Sequence, residues 1–314
     1  MNRYAWIALA LLGLLAPFAV YPVFMMKLLC FALFAAAFNL LLGYTGLLSF
    51  GHAAFFGGAA YVTGHLVKNL GLTPELGILG GTLFAGLLGY LVGSLAIRRQ
   101  GIYFAMVTLA LAQIVYFLAL KLPFTGGEDG LQGIPRGLLF GFIDLNRHVT
   151  VGSSAPLPLA LYYFTFALFC LGFGVIYRAI HSPFGQVLKA IRENEPRARS
   201  LGYKVERFKL IAFVLSSALA GMAGAMKCLI FQLASLTDVS WHTSGEVVLM
   251  TLLGGVGTVL GPAAGAFTVV TLQSQLTMVG PWITVIIGGI FVVCVLVFRR
   301  GFVGELGRLL RRSL

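Results

Sequence analysis

The sequence predicts an all-α membrane protein, a polytopic bundle of about ten transmembrane helices, some of them broken by glycine. Of the 314 residues, 59% are apolar and only 10% are charged, whereas an average soluble domain has about 25% charged residues. Three long stretches lack Asp, Glu, Lys and Arg altogether, with 40, 30 and 52 residues in 28–67, 148–177 and 247–298. A helix of 40 residues covers about 60 Å, which is two crossings of a hydrocarbon layer of about 30 Å.

The apolar stretches predict ten spans, at residues 5–21, 28–47, 50–67, 76–97, 101–121, 157–177, 210–233, 243–258, 261–278 and 281–298. The first span follows Arg3 and resembles a signal peptide. It lacks a small-x-small cleavage site, and Pro17 lies where one would be expected, which favours an uncleaved span over a cleaved leader.

The distribution of basic residues predicts that both termini lie inside the cell. With the N-terminus inside, 16 of the 22 Lys and Arg residues fall on the cytoplasmic side, as the positive-inside rule requires. Three short crossings within 243–298 keep the basic tail inside, with turns at 257–261 and 280–281. The alternative for this region is a single re-entrant segment.

Two hydrophilic segments connect the spans. The outer one, 122–156, contains Glu128, Asp129 and Gly130 in a run rich in glycine, which predicts a folded turn structure rather than a helix. The inner one, 178–209, carries eight Lys and Arg residues and is predicted to form two short helices.

The first inner helix is predicted to begin with Ser182 as N-cap and Pro183 at its first position. Its apolar residues recur at helical spacing, at Phe184, Val187, Leu188 and Ile191. The second helix runs from about Glu195 to Leu201, and Gly202 is placed to end it in a left-handed conformation. Seven residues are not helical alone in water, so this helix needs a surface to pack on.

Several classes of function are excluded by what the sequence lacks. It contains no phosphate-binding loop of the GxxxxGK[ST] type and no GxSxG, HExxH or CxxC motif. The five histidines and four cysteines show no metal-ligand spacing, so no metal site and no disulfide is predicted. The net charge of +12 comes from bases at the ends of spans, which indicates cytoplasmic loops and not nucleic-acid binding. We therefore expect neither an enzyme nor a cofactor on this chain.

Ionisable residues inside the spans are few, and Lys227 and Glu246 lie near span edges. We expect the Lys227 side chain to snorkel to the interface. A carrier driven by protons or sodium more often keeps an acidic residue at mid-depth, which makes secondary transport the weaker hypothesis.

Two glycine-rich regions are candidates for broken helices along a transport path, because broken helices in membranes line cavities or are buried in protein. The candidate path residues are Asn39, Gly43, Gly46, Ser49, Gly51 and His52 in the first region and Gly254, Gly255 and Gly257 in the second. Close helix packing without substrate contact is the alternative.

Four segments of the chain resemble one family. They are Asn39 to Tyr61 (NLLLGYTGLLSFGHAAFFGGAAY), Glu128 to Pro135 (EDGLQGIP), Ser182 to Gly202 (SPFGQVLKAIRENEPRARSLG) and Gly254 to Gly265 (GGVGTVLGPAAG). In this order they are similar to the LivM-type permease subunit of bacterial ABC importers for branched-chain amino acids.

The resemblance implies a single transmembrane permease domain over 1–314 in the bacterial inner membrane. It also implies a LivH-type permease as heterodimer partner, two ATP-binding subunits that hold the ATP, and a periplasmic amino-acid-binding protein. By resemblance, 178–209 is a cytoplasmic coupling loop that docks on an ATPase, and its coupling residues are Glu193, Glu195, Arg197, Ala198, Arg199 and Gly202. The binding protein would dock on the periplasmic segment 122–156 through Glu128, Asp129 and Gly130.

Three alternatives stay open at this point. Related permeases carry urea, amides or other amino acids, and the same importer architecture would serve them. The second inner helix could bind anionic membrane lipid through Arg197, Arg199 and Lys204. A self-sufficient channel or secondary transporter is a different class of function.

Overall fold

A computed structural model describes residues 13–18, 20–139, 141–145 and 158–276, with isolated positions at 11, 285–286, 288–289, 292, 301–302 and 305. Residues 13–18 are helical, but residues 5–10, 12 and 19 of the predicted span 5–21 lie outside the described residues. So do most of the predicted span 281–298, the turn at 280–281, the end of the span 261–278 and most of the basic tail.

The described residues form helices almost throughout. The α-helices are α1 Pro22–Thr45, α2 His52–Lys68, α3 Pro74–Ala96, α4 Ile102–Lys121, α5 Leu159–His181, α6 Pro183–Glu193, α7 Glu195–Ser200, α8 Val205–Phe231, α9 Trp241–Gly254 and α10 Gly261–Gln275. Short 3₁₀ helices occupy Pro123–Thr125, Gly127–Asp129 and Leu236–Val239. Two antiparallel ribbons pair β1 Leu131–Gln132 with β4 Leu233–Ala234, and β2 Leu138–Leu139 with β3 Ile143–Asp144.

The helices confirm the predicted all-α membrane class. Five of them, α1, α3, α4, α5 and α8, are long and apolar enough to cross a membrane. Helices α1 and α8 begin six and five residues before the predicted spans, because Lys27, Arg207 and Lys209 lie inside these helices and do not end them. Helices α2, α9 and α10 have only 17, 14 and 15 residues, or about 21 to 26 Å of helix.

Helix α8 forms the centre of the bundle and packs along α1, α2 and α3. Its closest approach to α2 is at Gly224, where an added methyl group would lie 1.9 Å from the carbonyl oxygen of Phe56. Small residues let membrane helices pack backbone against backbone in this way. Cys30 and Cys228 are buried in this core as predicted packing residues, whereas Cys170 lies on an exposed face of α5.

The connections gather at two opposite ends of the bundle. At one, which we call the strand end, β1 pairs with β4, and the Lys68 ammonium donates a hydrogen bond to the Gln132 carbonyl at 2.6 Å. The strand end thus joins the ends of α2, α4 and α8. At the other, which we call the basic end, Gln100 of the α3–α4 connection donates to the Glu195 carboxylate at 3.1 Å. The predicted inner segment lies at the basic end, and the predicted outer segment lies at the strand end.

Both glycine-rich regions interrupt helices, as predicted. Between α1 and α2, residues 46–51 are non-helical, and His52 at the start of α2 contacts Ser216, which bonds the Ala37 carbonyl. Ala37 lies eight residues before the end of α1, so α2 begins about 12 Å inside the bundle. Residues 255–260 separate α9 from α10 at the basic end. Each break is held by neighbouring helices, which is where broken helices are tolerated.

Candidate functional site

The α6–α7 pair confirms the predicted helix limits at the basic end. Helix α6 begins with Pro183 after Ser182, but the Ser182 hydroxyl donates to the Ala179 carbonyl at 2.7 Å and does not cap the helix. The predicted apolar face of α6 turns inward, and Leu188 and Ile191 are buried. This face seats the pair on the membrane helices.

Helix α7 is held by caps at both ends. Asn194 accepts a hydrogen bond from the Arg197 N–H at 3.1 Å, which is an N-cap that the sequence analysis did not single out although Asn is a preferred residue there. Gly202 has φ +88°, its N–H bonds the Arg199 carbonyl at 2.9 Å, and the Tyr203 N–H bonds the Ala198 carbonyl at 3.2 Å. These two bonds form a Schellman motif. The predicted left-handed end at Gly202 is confirmed.

Ala198 anchors α7 against the rest of the chain. It is buried with Ile191 of α6 and Val205 of α8 in a small apolar cluster. The surface that the short helix needs is therefore supplied by this protein itself. Ala198 is covered in the described chain, and its contact with Ile191 and Val205 fixes the position of α7.

Glu195 is the centre of a charged network that locks α7 to α8. Its carboxylate accepts hydrogen bonds from Lys209 at 2.7 Å and from Arg199 at 3.0 Å. Partial burial opposes ionisation, but the bonds and charges of Lys209 and Arg199 prevail and lower the pKa of Glu195 below its usual range. The Lys209 side chain is 5% exposed and the Glu195 side chain 20%. Lys209 was missed because it resembles any other base at a span edge.

The outward side of α7 is exposed, basic and partly apolar. Glu193, Arg197, Arg199 and Gly202 are exposed, and Leu201 is 70% exposed. Beside them lies an open groove lined by Arg199, Tyr203, Lys204, Val205, Glu206 and Arg207.

Arg192 connects the α6–α7 pair to the first helix break. Its guanidinium donates a hydrogen bond to the Gly43 carbonyl near the end of α1. A methyl group on Gly46 would lie 3.4 Å from the Arg192 side chain, and one on Gly257 would lie 3.1 Å from its guanidinium. Arg192 therefore touches both glycine-rich regions. Arg192 was not among the predicted site residues, because nothing in the sequence distinguishes it from the seven other bases of 178–209.

Asn39 joins the second helix break to α1. Its side-chain oxygen accepts the Gly257 N–H at 3.0 Å, and its side-chain nitrogen donates to the Thr258 carbonyl at 2.8 Å. A methyl group on Gly43 would lie 2.8 Å from the Gly257 nitrogen. Polar groups of the broken chain thus find partners on α1, as buried backbone requires.

Most of the other predicted path residues are buried in this same packing. His52 is 0% exposed and is surrounded by Phe38, Phe55 and Phe213. Because the Ser216 hydroxyl donates to Ala37 at 2.6 Å, the His52 Nε2–H donates to Ser216, at 2.9 Å.

Ser49, Gly51, Gly254 and Gly255 are also buried, Gly257 is partly buried and Gly46 is exposed. In the described chain these residues act as packing joints. That they line a transport path stays a prediction.

The strand end presents the predicted docking residues on a compact turn. Glu128 and Asp129 are exposed on the 3₁₀ helix Gly127–Asp129. Gly130 is buried with φ +70°, and a methyl group on it would lie 2.3 Å from the Ala234 carbonyl oxygen. Within 122–139 the prediction of a turn structure without an α-helix is confirmed. Gly130 shapes the turn, while the two acids face outward.

Contrary to the prediction, Lys227 does not snorkel to the membrane interface. Its ammonium bonds the Asp238 carboxylate of the 3₁₀ helix Leu236–Val239, and both side chains are largely buried. The segment after α8 folds back into the bundle against Gly57 and brings this partner to Lys227. Because Asp238 supplies an opposite charge inside the bundle, the Lys227 ammonium does not need to reach the membrane–water interface.

This architecture is that of a multi-pass membrane protein with broken helices and a basic surface element at one end. The profile of the family described as "Branched-chain amino acid transport system / permease component" matches residues 23–296. The chain belongs to this family of permease components.

Individual relatives agree with the family. The chain is 30% identical over 270 residues to the high-affinity branched-chain amino acid transport system permease protein LivM of Escherichia coli K12, covering 81% of this chain and 63% of that protein. It is 25% identical to the probable branched-chain amino acid transport permease protein LivM of Methanocaldococcus jannaschii, covering 70% and 63%.

A third relative has a different named cargo. The chain is 29% identical to the autoinducer 2 import system permease protein LsrC of Salmonella paratyphi B, covering 63% of this chain and 55% of that protein. The chain thus spans less than two thirds of the length of these relatives. No solved structure matches it.

Proposed function

We propose that this chain is the permease subunit of an ABC importer that moves branched-chain amino acids into the cytoplasm by alternating access. The observation that carries the proposal is the form of the α6–α7 pair. Its inner side is bonded to the membrane helices through Arg192 and Glu195, while its outer side exposes Arg197 and Leu201. A helix pair that transmits movement from a partner subunit to the membrane helices needs both a fixed attachment and an exposed contact surface.

The proposed partners follow the two ends of the bundle. Two ATP-binding subunits hold and hydrolyse the ATP, and one of them docks on the outward side of α7. A periplasmic amino-acid-binding protein docks at the strand end through Glu128 and Asp129. A LivH-type permease completes a heterodimer in the inner membrane.

The proposed orientation places the basic end in the cytoplasm. The bases concentrated in 178–209 favour this assignment under the positive-inside rule. Gly301 lies against the break at the basic end, since a methyl group on it would come within 2.5 Å of Gly255. That contact supports the proposed return of the chain to the basic end after α10, and the proposed topology has ten spans with both termini inside.

The proposed mechanism uses the two helix breaks as joints. Closure of the ATPases pushes α7, and the Glu195 network transmits the displacement to α8. Arg192 transmits it to Gly43, and Asn39 passes it from α1 to the segment 255–260. Discrete rearrangement at packed joints is how small displacements become opening movements.

Reconstitution in liposomes tests the proposal. The chain with its partner permease, ATPases and binding protein should take up leucine only when ATP is present on the side of the membrane where the ATPases are bound. The chain alone should give no leucine flux. ATPases with an inactivated hydrolytic site are the matched control. Leucine flux through the chain alone would overturn the subunit assignment in favour of a channel or secondary carrier.

A further inference from the structure

Four charged side chains from four different elements form a layer just inside the strand end, which we call the charge layer. Its members are Lys27 of α1, Lys227 of α8, Asp238 of the 3₁₀ helix Leu236–Val239, and Glu246 of α9. Lys227 bonds Asp238 directly. The charge of Lys27 interacts with those of Lys227 and Glu246, and the charge of Glu246 interacts also with those of Lys227 and Asp238.

The charge layer lies within the membrane-spanning part of the bundle. Lys27 and Glu246 each follow the start of their helix by five residues, and Lys227 precedes the end of α8 by four. These offsets place the backbone of the three residues about 6 to 8 Å inside the helix ends. Charges at that depth face a partner, the bundle interior or a water-filled cavity, because lipid does not solvate them.

Two of the four charges have no ion-pair partner in the described part of the chain. Lys227 and Asp238 neutralise each other, with side-chain exposures of 18% and 6%. Lys27 and Glu246 are only partly buried, and neither forms an ion pair within the described ranges. The Glu246 carboxylate accepts a hydrogen bond from Gln273 of α10 at 3.1 Å, which fixes its position but brings no opposite charge into contact with it.

Two buried polar atoms beside the layer have no hydrogen-bond partner among the residues that the structure describes. They are the second carboxylate oxygen of Asp238 and the hydroxyl oxygen of Tyr61, and these residues are 5% and 4% exposed. The charge of Asp238 acts on the Tyr61 hydroxyl. Buried polar groups without partners are rare, and a bound ligand is one way in which they are satisfied.

We propose that the charge layer is a subsite of the membrane domain for the zwitterionic head group of an amino acid. Lys27 binds the carboxylate and Glu246 binds the ammonium group, while the Lys227–Asp238 pair offers its free oxygen beside them. A cation and an anion on neighbouring helices, neither of them in an ion pair within the described ranges, match a ligand whose opposite charges lie on two groups attached to one carbon. A neutral cargo such as urea or an amide has no use for this pair.

This inference rests on the proposed import function and names the part of the cargo that the membrane domain holds. It predicts that loss of the charge of Lys27 or of Glu246 uncouples ATP hydrolysis from leucine uptake. Lys27→Met and Glu246→Gln should each lower leucine uptake by roughly tenfold or more, while hydrolysis stimulated by the loaded binding protein stays within about twofold. Lys27→Arg keeps the charge and should retain uptake.

The test measures leucine uptake and ATP hydrolysis in the same proteoliposomes holding the complete importer. Lys121→Met is the matched control, since Lys121 is an exposed lysine at the strand end of α4. Unchanged uptake per ATP in both variants would overturn the inference, as would a parallel loss of uptake and hydrolysis in an assembled complex, which indicates a structural role. Inactivity of the parent complex toward leucine would instead overturn the import proposal itself.

A charge exchange separates a ligand site from a simple ion pair. If Lys27 and Glu246 only stabilise each other, the double variant Lys27→Glu with Glu246→Lys should recover uptake. If they hold the two ends of a chiral zwitterion, the exchanged pair presents the charges in reverse and uptake stays low. Recovery in the double variant would overturn the inference.

Discussion

The guanidinium of Arg192 donates a hydrogen bond to the main-chain carbonyl of Gly43. This bond joins a surface helix at the basic end to the last turns of a membrane helix, at the point where α1 meets both breaks. A carbonyl near the end of a helix lacks an intrahelical partner, so a cation is well placed there. The contact gives α6 a hold on the two joints proposed to open the path.

Removing this contact should uncouple ATP hydrolysis from transport. We expect Arg192→Gln to lower leucine uptake by roughly tenfold, the size of a typical coupling energy, while hydrolysis and complex assembly persist. Arg178→Gln, at an exposed arginine near the end of α5, should behave like the parent. Equal uptake per ATP in the Arg192 and Arg178 variants would show that the contact does not transmit movement.

The Glu195 network should stabilise the basic end in a pH-dependent way. Glu195→Gln is expected to cost about 2 kcal/mol of unfolding free energy, typical of hydrogen bonds to charged groups, measured by denaturant unfolding in detergent. Because the folded-state pKa of Glu195 is lowered, this advantage is fully present above about pH 4.5 and is lost as the pH falls through the lowered value. An advantage that grows on acidification contradicts this account.

Gly202 should matter for its backbone and not for its size. A side chain here meets open space, but φ is +88°, and a β-branched residue in that region is strained by about 1–2 kcal/mol. We expect Gly202→Val to abolish uptake while the protein stays in the membrane. Gly202→Asn, which tolerates the left-handed region, should retain most of it. Similar losses in both variants would point to contact at the surface.

Charge reversal on the outward side of α7 should remove ATPase binding. Arg197→Glu changes a side chain that is exposed and has only its backbone N–H in the Asn194 cap, so unfolding should be unchanged. Arg199→Glu also breaks the bonds to Glu195 and should lower stability as well. Co-purification of the ATPases with each variant is the readout, and retained binding in Arg197→Glu would remove the docking role.

Asn39→Leu should loosen the joint between α1 and the segment 255–260. The Gly257 N–H and Thr258 carbonyl would lose their partners, at a cost of about 1–3 kcal/mol for each buried group left unpaired. A lowered melting temperature with normal ATPase binding is expected. Unchanged stability would show that water replaces the amide.

The apolar stretches were sufficient to predict the long helices among the described residues, because a segment that crosses hydrocarbon must satisfy its own backbone. The helix starts at Pro22 and Val205 were misplaced, since a lysine inside a helix resembles one that ends it. Lys227 was misread for a related reason. Its partner Asp238 comes from a segment that folds back into the bundle, and nothing local reveals that return.

In the candidate site, too, features set by local sequence could be predicted, and contacts between distant segments could not. Gly202 and the apolar face of α6 follow from local rules of helix ending and periodicity. The connection of Arg192 to Gly43 spans 149 residues, so only the packed structure distinguishes this arginine from its neighbours. Asn39 was predicted to line a transport path. In the structure its side chain bonds the non-helical segment 255–260.

Accessibility of residue 201 tests the central claim most directly. A single cysteine at Leu201→Cys, in a chain whose own cysteines are replaced by serine, is exposed to a membrane-impermeant maleimide in spheroplasts and in inverted vesicles. The account predicts labelling only in inverted vesicles, with protection when the ATPase subunits are present. Labelling in intact spheroplasts would place α7 outside the cell and contradict the proposal that partner ATPases drive this permease through it.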